Sequence, residues 1–92
     1  MKAVYVSGRF NADKTQVVTM AWGDTYQIKE ELKANGYRWN ADNSMWWKVV
    51  SAGDAKSELA NFKTIAKNAK LYCEIEKPNT DAHKAVAAEA FA

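Results

Sequence analysis

Residues 24–50, DTYQIKEELKANGYRWNADNSMWWKVV, decide the fold because they combine the pattern of a short helix with that of a β-hairpin. The initial D-x-x-Q matches a capping box, and Gly36 is suited to end the helix in a left-handed conformation. Ile28 and Leu32 lie four residues apart and form a narrow apolar stripe, as in a short helix packed on a sheet. The stretch predicts a helix over residues 25–35.

The second half of this stretch predicts an antiparallel hairpin around a four-residue polar loop at residues 41–44. Trp39 would then lie opposite Trp46 on one face, and Arg38 opposite Trp47 on the other, because neighbouring strand residues point to opposite faces. Two interpretations of the first pair stay open. The two rings either pack under the helix or form a platform on which unpaired bases stack.

The orientation of Arg38 and Trp47 depends on that of Trp39 and Trp46. If Trp39 and Trp46 face inward, then Arg38 and Trp47 face outward and are the better candidates for contact with a partner. The alternative is that a helix packs on that second face and buries them.

Further elements extend outward from this unit. Three segments have the composition or alternation of strands, at residues 3–10, 16–22 and 71–77. A second amphipathic helix follows the hairpin, capped by Ser51 or Asp54 and running to about residue 70. The order β-β-α-β-β-α-β with short connections predicts an α+β fold, an antiparallel sheet of about five strands with two helices on one face. A ferredoxin-like topology is the alternative.

The chain of 92 residues is short enough to form a single domain, which we expect over residues 1–77. Pro78 ends the last strand. The remainder, residues 78–92, is rich in alanine with scattered charges, and we predict a flexible C-terminal tail there.

Charge is nearly balanced, since 13 Lys and Arg against 11 Asp and Glu give a formal net charge of +2 at pH 7. That excess is too small to indicate nucleic-acid binding by itself, so the distribution of the basic residues must decide. One stripe of the second helix carries four lysines, which predict phosphate contacts or simply a solvated face: Lys56, Lys63, Lys67 and Lys70. Candidates near the hairpin are Lys29, Lys33 and Lys48.

Catalytic and metal-binding patterns are missing from the sequence. His83 is the only histidine, so neither a histidine-based triad nor a conventional zinc site can be assembled, and Cys73 lies on the apolar side of the last strand. We therefore expect no enzyme, no cofactor and no metal. A single cysteine, the absence of a signal peptide and the absence of a long apolar run predict a cytoplasmic protein without membrane contact.

The pattern Lys29-x-x-Leu-Lys-x-x-Gly-x-Arg-Trp39, six further residues and Trp46-Trp47 resembles a helix-plus-hairpin unit. This unit is found in small phage and mobile-element proteins and in DNA-metabolism proteins, and the HARP domain of annealing helicases carries a similar one. The resemblance covers residues 25–50. The chain differs at Asn40 and Ser44, where an acidic and a basic residue are common. The resemblance implies a phage or mobile-element origin and an association with DNA.

Two hypotheses about function follow. The first is a non-enzymatic module that binds single-stranded or unwound DNA through Trp47, Arg38 and the nearby lysines. The second is a small phage-encoded protein that uses the same hairpin to bind and inhibit a host protein, such as a defence or replication component. The weak net charge favours the second hypothesis.

Overall fold

The computed structural model describes residues 2–78 and 80–92, which form one five-stranded sheet and three α-helices. Short 3-10 turns precede the first two helices, at Tyr26–Ile28 and Ala52–Asp54. In chain order the elements are β1 (Ala3–Phe10), β2 (Gln16–Gly23), α1 (Lys29–Ala34), β3 (Arg38–Asn40), β4 (Met45–Ser51), α2 (Ala55–Asn68), β5 (Tyr72–Ile75) and α3 (Asp81–Ala90).

The strands lie in the order β3-β4-β2-β1-β5, and the sheet is mixed. The β1–β2, β2–β4 and β3–β4 pairs are antiparallel, whereas β1 and β5 are parallel. The prediction of a purely antiparallel sheet is therefore wrong. The reason is that α2 carries the chain from β4 across β2 and β1, so that β5 returns in the same direction as β4.

The ferredoxin-like alternative is also not observed. Without β1, the sheet would place β5 directly beside β2, as a ferredoxin-like order requires. The N-terminal hairpin instead places β1 between them. The α+β class holds, but the strand order is different.

One face of the sheet packs against α1 and α2. Its buried residues come from three strands, both helices and the connections around them: Val4, Val6, Ala21, Ile28, Leu32, Tyr37, Trp46, Phe62, Ala66 and Leu71. Gly36 ends α1 with a φ of +88°, and the Tyr37 amide donates to the Leu32 carbonyl over 2.9 Å. The predicted left-handed end of this helix is confirmed.

The start of α1 differs from the prediction. No side-chain cap forms there, and the helix is entered through the 3-10 turn. The Gln27 side chain donates to the Ala69 carbonyl over 3.2 Å instead of capping the helix, and the Thr25 hydroxyl is engaged by Trp46. The predicted capping box of Asp24 and Gln27 is therefore wrong, because a tertiary contact takes the Gln27 side chain and the Asp24 carboxylate lies 3.9 Å from the Lys2 ammonium.

The opposite face of the sheet packs against α3, where the sequence predicted a flexible tail. Val86 and Ala87 of this helix are buried against Val18, Met20 and Met45. The Thr80 hydroxyl accepts from the His83 amide over 3.2 Å and caps the helix. Alanine has the highest helix propensity, and its small side chain lets a helix lie close to a sheet. The alanine-rich composition was therefore a signal for a packed helix.

Candidate functional site

The β3–β4 hairpin places Trp39 opposite Trp46 and Arg38 opposite Trp47, as the alternation predicted. Trp39 and Trp46 lie on the face that carries α1. Their rings are 5.1 Å apart between centroids and are inclined by 55°. Trp46 is 6% exposed, whereas Trp39 is 48% exposed because β3 is the edge strand. One ring belongs to the core and its neighbour to the surface.

Trp46 is held in place by a hydrogen bond. Its indole Nε1–H donates to the Thr25 hydroxyl over 3.1 Å, and both residues are buried. This bond joins β4 to the segment that leads into α1. The ring therefore forms a fixed floor under the surface at Trp39.

An open cleft of about 550 Å³ lies above this floor, and we call it the aromatic cleft. It lies between the end of β2, the start of α1 and the hairpin, and it is lined by Gly23, Asp24, Thr25, Tyr26, Lys29, Lys33, Trp39 and Trp46. Tyr26 is 76% exposed. The cleft thus presents two accessible aromatic rings over a buried third.

Two lysines add positive charge to the aromatic cleft. Lys29 and Lys33 are four residues apart on α1 and line the cleft. The Lys29 ammonium lies 4.0 Å from the centroid of the Tyr26 ring, within cation–π range. The Lys33 ammonium lies 3.7 Å from the Glu30 carboxylate on the exposed side of the helix. Asp24 contributes the opposing charge and lies 3.9 Å from the Lys2 ammonium.

Tyr26 was missed by the sequence reasoning. Its signal was present, because a tyrosine three residues before a lysine places both side chains on the same side of a helical turn. The interpretation of residues 24–28 as a capped helix start left that side chain without a role.

Arg38 and Trp47 lie on the α3 face. Arg38 is exposed, and its guanidinium lies 5.8 Å from the centroid of the Trp47 ring. Trp47 is half-buried and packs against the cluster under α3. The sequence left open whether these two residues face solvent or are covered by a helix. A helix, α3, covers Trp47, whereas Arg38 stays accessible beside it.

Lys48 is engaged inside the protein. Its ammonium pairs with the Glu58 carboxylate at 2.5 Å, and the Glu58 side chain is 7% exposed. Lys48 also lies 5.8 Å from the centroid of the Tyr37 ring. Burial and the charge of Glu58 raise the pKa of the Tyr37 hydroxyl above its ordinary value. The alternation contained this signal, since Lys48 lies two residues after Trp46 and so on the same, α2-covered face.

The predicted lysine stripe is exposed, as a solvated face would be, but only Lys56, Lys63 and Lys67 lie on α2. Lys70 follows the end of the helix with a φ of +59°. Three of them, all except Lys56, line a second open cleft beside β5. Trp39 belongs to β3 at one edge of the sheet, and β5 forms the other edge. The structure therefore does not bring Lys63, Lys67 and Lys70 together with Lys29 and Lys33 in one patch.

Among residues 2–78 and 80–92, no group of three or more His, Cys, Asp or Glu side chains could hold a metal ion. His83 is a buried residue of α3, and burial together with the nearby Arg9 charge lowers its pKa. Burial raises the pKa of the Cys73 thiol. Within the same residues, no helix is long and apolar enough to cross a membrane.

Fold and site together define a small α+β domain with an open aromatic and basic cleft at one edge of its sheet. No protein-family model, curated protein or solved structure matches the chain.

Proposed function

We propose that this protein is a small binding module for single-stranded or unwound DNA, which it contacts through the aromatic cleft. The observation that carries the proposal is the pair of exposed rings, Tyr26 and Trp39, beside two lysines. Stacking of a base on an aromatic side chain contributes about 1 to 3 kcal/mol and tolerates any base. The rings would take unpaired bases, and Lys29 and Lys33 would neutralise phosphates.

Single strands suit this cleft better than duplexes. A duplex hides the faces of its bases by stacking, so exposed aromatic rings find no partner on it, whereas an unwound strand offers every base face. The resemblance of residues 25–50 to the helix-plus-hairpin unit of phage and mobile-element proteins supports an association with DNA and such an origin. Trp39, Lys29 and Lys33, which belong to that pattern, all line the aromatic cleft.

The aromatic cleft carries only two lysines, so DNA binding should depend only weakly on salt concentration. Two phosphate contacts on a single strand give a salt slope of about −1.4, since each contributes about −0.7. Affinity should then fall about sevenfold between about 50 and 200 mM salt. A strongly basic groove would lose far more.

The test is a fluorescence anisotropy titration of a labelled oligothymidylate with wild type, Trp39→Ala and Lys29→Ala. Tyr72→Ala is the matched control because Tyr72 is an exposed aromatic residue at the opposite edge of the sheet. The proposal expects both cleft variants to bind at least about tenfold more weakly, a loss of about 1.4 kcal/mol, with Tyr72→Ala unchanged. Equal binding by wild type and Trp39→Ala would refute it.

A second candidate is a phage-encoded protein that binds and inhibits a host protein. This candidate is favoured by the exposed rings of Tyr26 and Trp39 and by the acidic Asp24 in the same cleft. It is also favoured by the small net charge of +2. Aromatic residues are common anchors of protein interfaces. This candidate gains if oligonucleotides do not bind and a host replication or defence protein is captured by wild type but not by Trp39→Ala.

A further inference from the structure

Strand β5 is the edge of the sheet opposite to the aromatic cleft, and one of its sides is already paired. The Tyr72 amide donates to the Lys2 carbonyl over 3.0 Å, and the Glu76 amide donates to the Val6 carbonyl over 2.9 Å. Backbone groups alternate sides along a strand. The N–H and C=O groups of Cys73 and Ile75 therefore point away from β1, toward the open edge.

Apolar side chains are exposed along this edge. Tyr72 is 52% exposed and Ile75 is 53% exposed. Natural edge strands are usually protected by proline, by inward-pointing charges or by a covering element. β5 is short, with four residues, and carries one charged side chain, Glu74, but no proline removes its outward N–H groups.

Positive charge lies beside the same edge. Lys63, Lys67 and Lys70 line an open cleft of about 490 Å³ together with Leu71, Tyr72 and Cys73. Among the ion pairs within 4.0 Å in residues 2–78 and 80–92, none involves these three lysines. Their charge is therefore available to a partner on the α2 side of β5.

We infer that β5 accepts an acidic, extended peptide segment as a sixth strand. The Cys73 and Ile75 backbone groups would bond to the incoming main chain, as in other cases of strand addition. Acidic side chains at alternate positions of the segment would face Lys63, Lys67 and Lys70, because alternate residues share one face. The inference does not depend on the proposed DNA binding, since the two surfaces lie at opposite edges of the sheet.

A peptide fits this edge better than a nucleic acid. An open strand edge needs a partner that offers donors and acceptors in alternation, and a polypeptide backbone does so. A phosphate backbone offers acceptors only.

The test uses a labelled peptide of about eight residues that alternates Glu and Val, a length typical of strands. A Lys–Val peptide serves as the charge control. Ile75→Pro removes one outward N–H, and proline is tolerated on the free side of an edge strand. Ile75→Val keeps that N–H and is the matched control. We expect Ile75→Pro and Lys67→Glu each to weaken binding at least about tenfold, with Ile75→Val and Trp39→Ala at the wild-type level.

A second measurement on the wild type does not rely on the proline variant folding. Hydrogen exchange followed by NMR should show that the Cys73 and Ile75 amides are slowed when the Glu–Val peptide is added. The inference is overturned if the peptide does not bind at millimolar concentration, if those two amides exchange as before, or if the Lys–Val peptide or an oligothymidylate binds this edge equally well. A negative result in the peptide-binding or hydrogen-exchange experiment would leave the anisotropy test of the aromatic cleft unaffected. The two proposals can therefore be refuted separately.

Discussion

Trp39 and Trp46 face each other across the β3–β4 hairpin at 5.1 Å between ring centroids, yet only Trp46 belongs to the core. The Thr25 hydroxyl fixes Trp46 from below, and the edge position of β3 leaves Trp39 accessible. This division between floor and surface is the feature on which the proposed binding rests.

The two rings should respond differently to truncation. Trp46→Ala is expected to lower the free energy of unfolding by about 3 to 5 kcal/mol, because it removes a buried aromatic ring. Trp39→Ala should lower it by about 1 kcal/mol or less, through the lost contact between the rings. Urea denaturation followed by circular dichroism measures both values. Equal losses would contradict the assignment of one ring to the core and the other to the surface.

Lys48 and Glu58 should behave as a partly buried ion pair and not as a binding surface. Lys48→Met is expected to cost about 3 to 5 kcal/mol, because it leaves the buried carboxylate without a partner. The double variant Lys48→Met/Glu58→Leu should recover most of that loss, since two apolar side chains replace the pair. Chemical denaturation of the single and double variants gives the coupling free energy between the two residues. If the losses of unfolding free energy were additive, the two residues would not interact.

Helix α3 should be part of the folded structure. Val86 is fully buried and Ala85 is exposed on the same helix, which provides a matched pair of substitutions. Val86→Asp is expected to cost about 3 kcal/mol or more by burying an unpaired charge, and Ala85→Asp about 0.5 kcal/mol or less. Thermal unfolding compares them. If residues 81–90 formed a flexible tail, the two variants would be indistinguishable.

Stability should depend on pH through His83. In the folded protein its pKa lies below the ordinary value of 6.5, because burial and the Arg9 charge disfavour the imidazolium. Its neutral Nδ1 also accepts from the Thr80 amide over 3.3 Å. The unfolded chain thus binds the proton first, so stability is full above about pH 6.5 and falls as the pH drops below it.

Melting temperatures measured between pH 7.5 and 5.5 test this dependence of stability on His83. Carboxylates titrate at lower pH and do not contribute in this range. His83→Gln is the control, since glutamine at the third helical position also suits a capping box but does not titrate. The variant should show a flatter profile than wild type. Parallel profiles would mean that His83 does not carry the effect.

Local spacing was sufficient to predict much of the fold. The left-handed end of α1 at Gly36 and the register of Trp39 with Trp46 are confirmed, because each depends on residues close in the chain. Strand order is not local. The parallel position of β5 arises from the path of α2 over the sheet, which no alternation pattern encodes.

The site was harder to predict for a similar reason. Alternation gives the face on which a side chain lies but not whether another element covers that face. Trp47 is half-buried because α3 packs there, and Trp39 is exposed because β3 ends the sheet. The aromatic cleft is therefore a product of tertiary packing.

The most direct test of the central claim is an NMR titration of the four tryptophan indole N–H signals with an oligothymidylate. The proposed binding expects the Trp39 signal to shift most, because Trp39 is the exposed tryptophan. Trp22 and Trp47 are partly buried against the cluster under α3, so their signals should stay nearly unchanged. Largest shifts at Trp47, or no shift at any tryptophan at saturating oligonucleotide, would contradict DNA binding through the aromatic cleft.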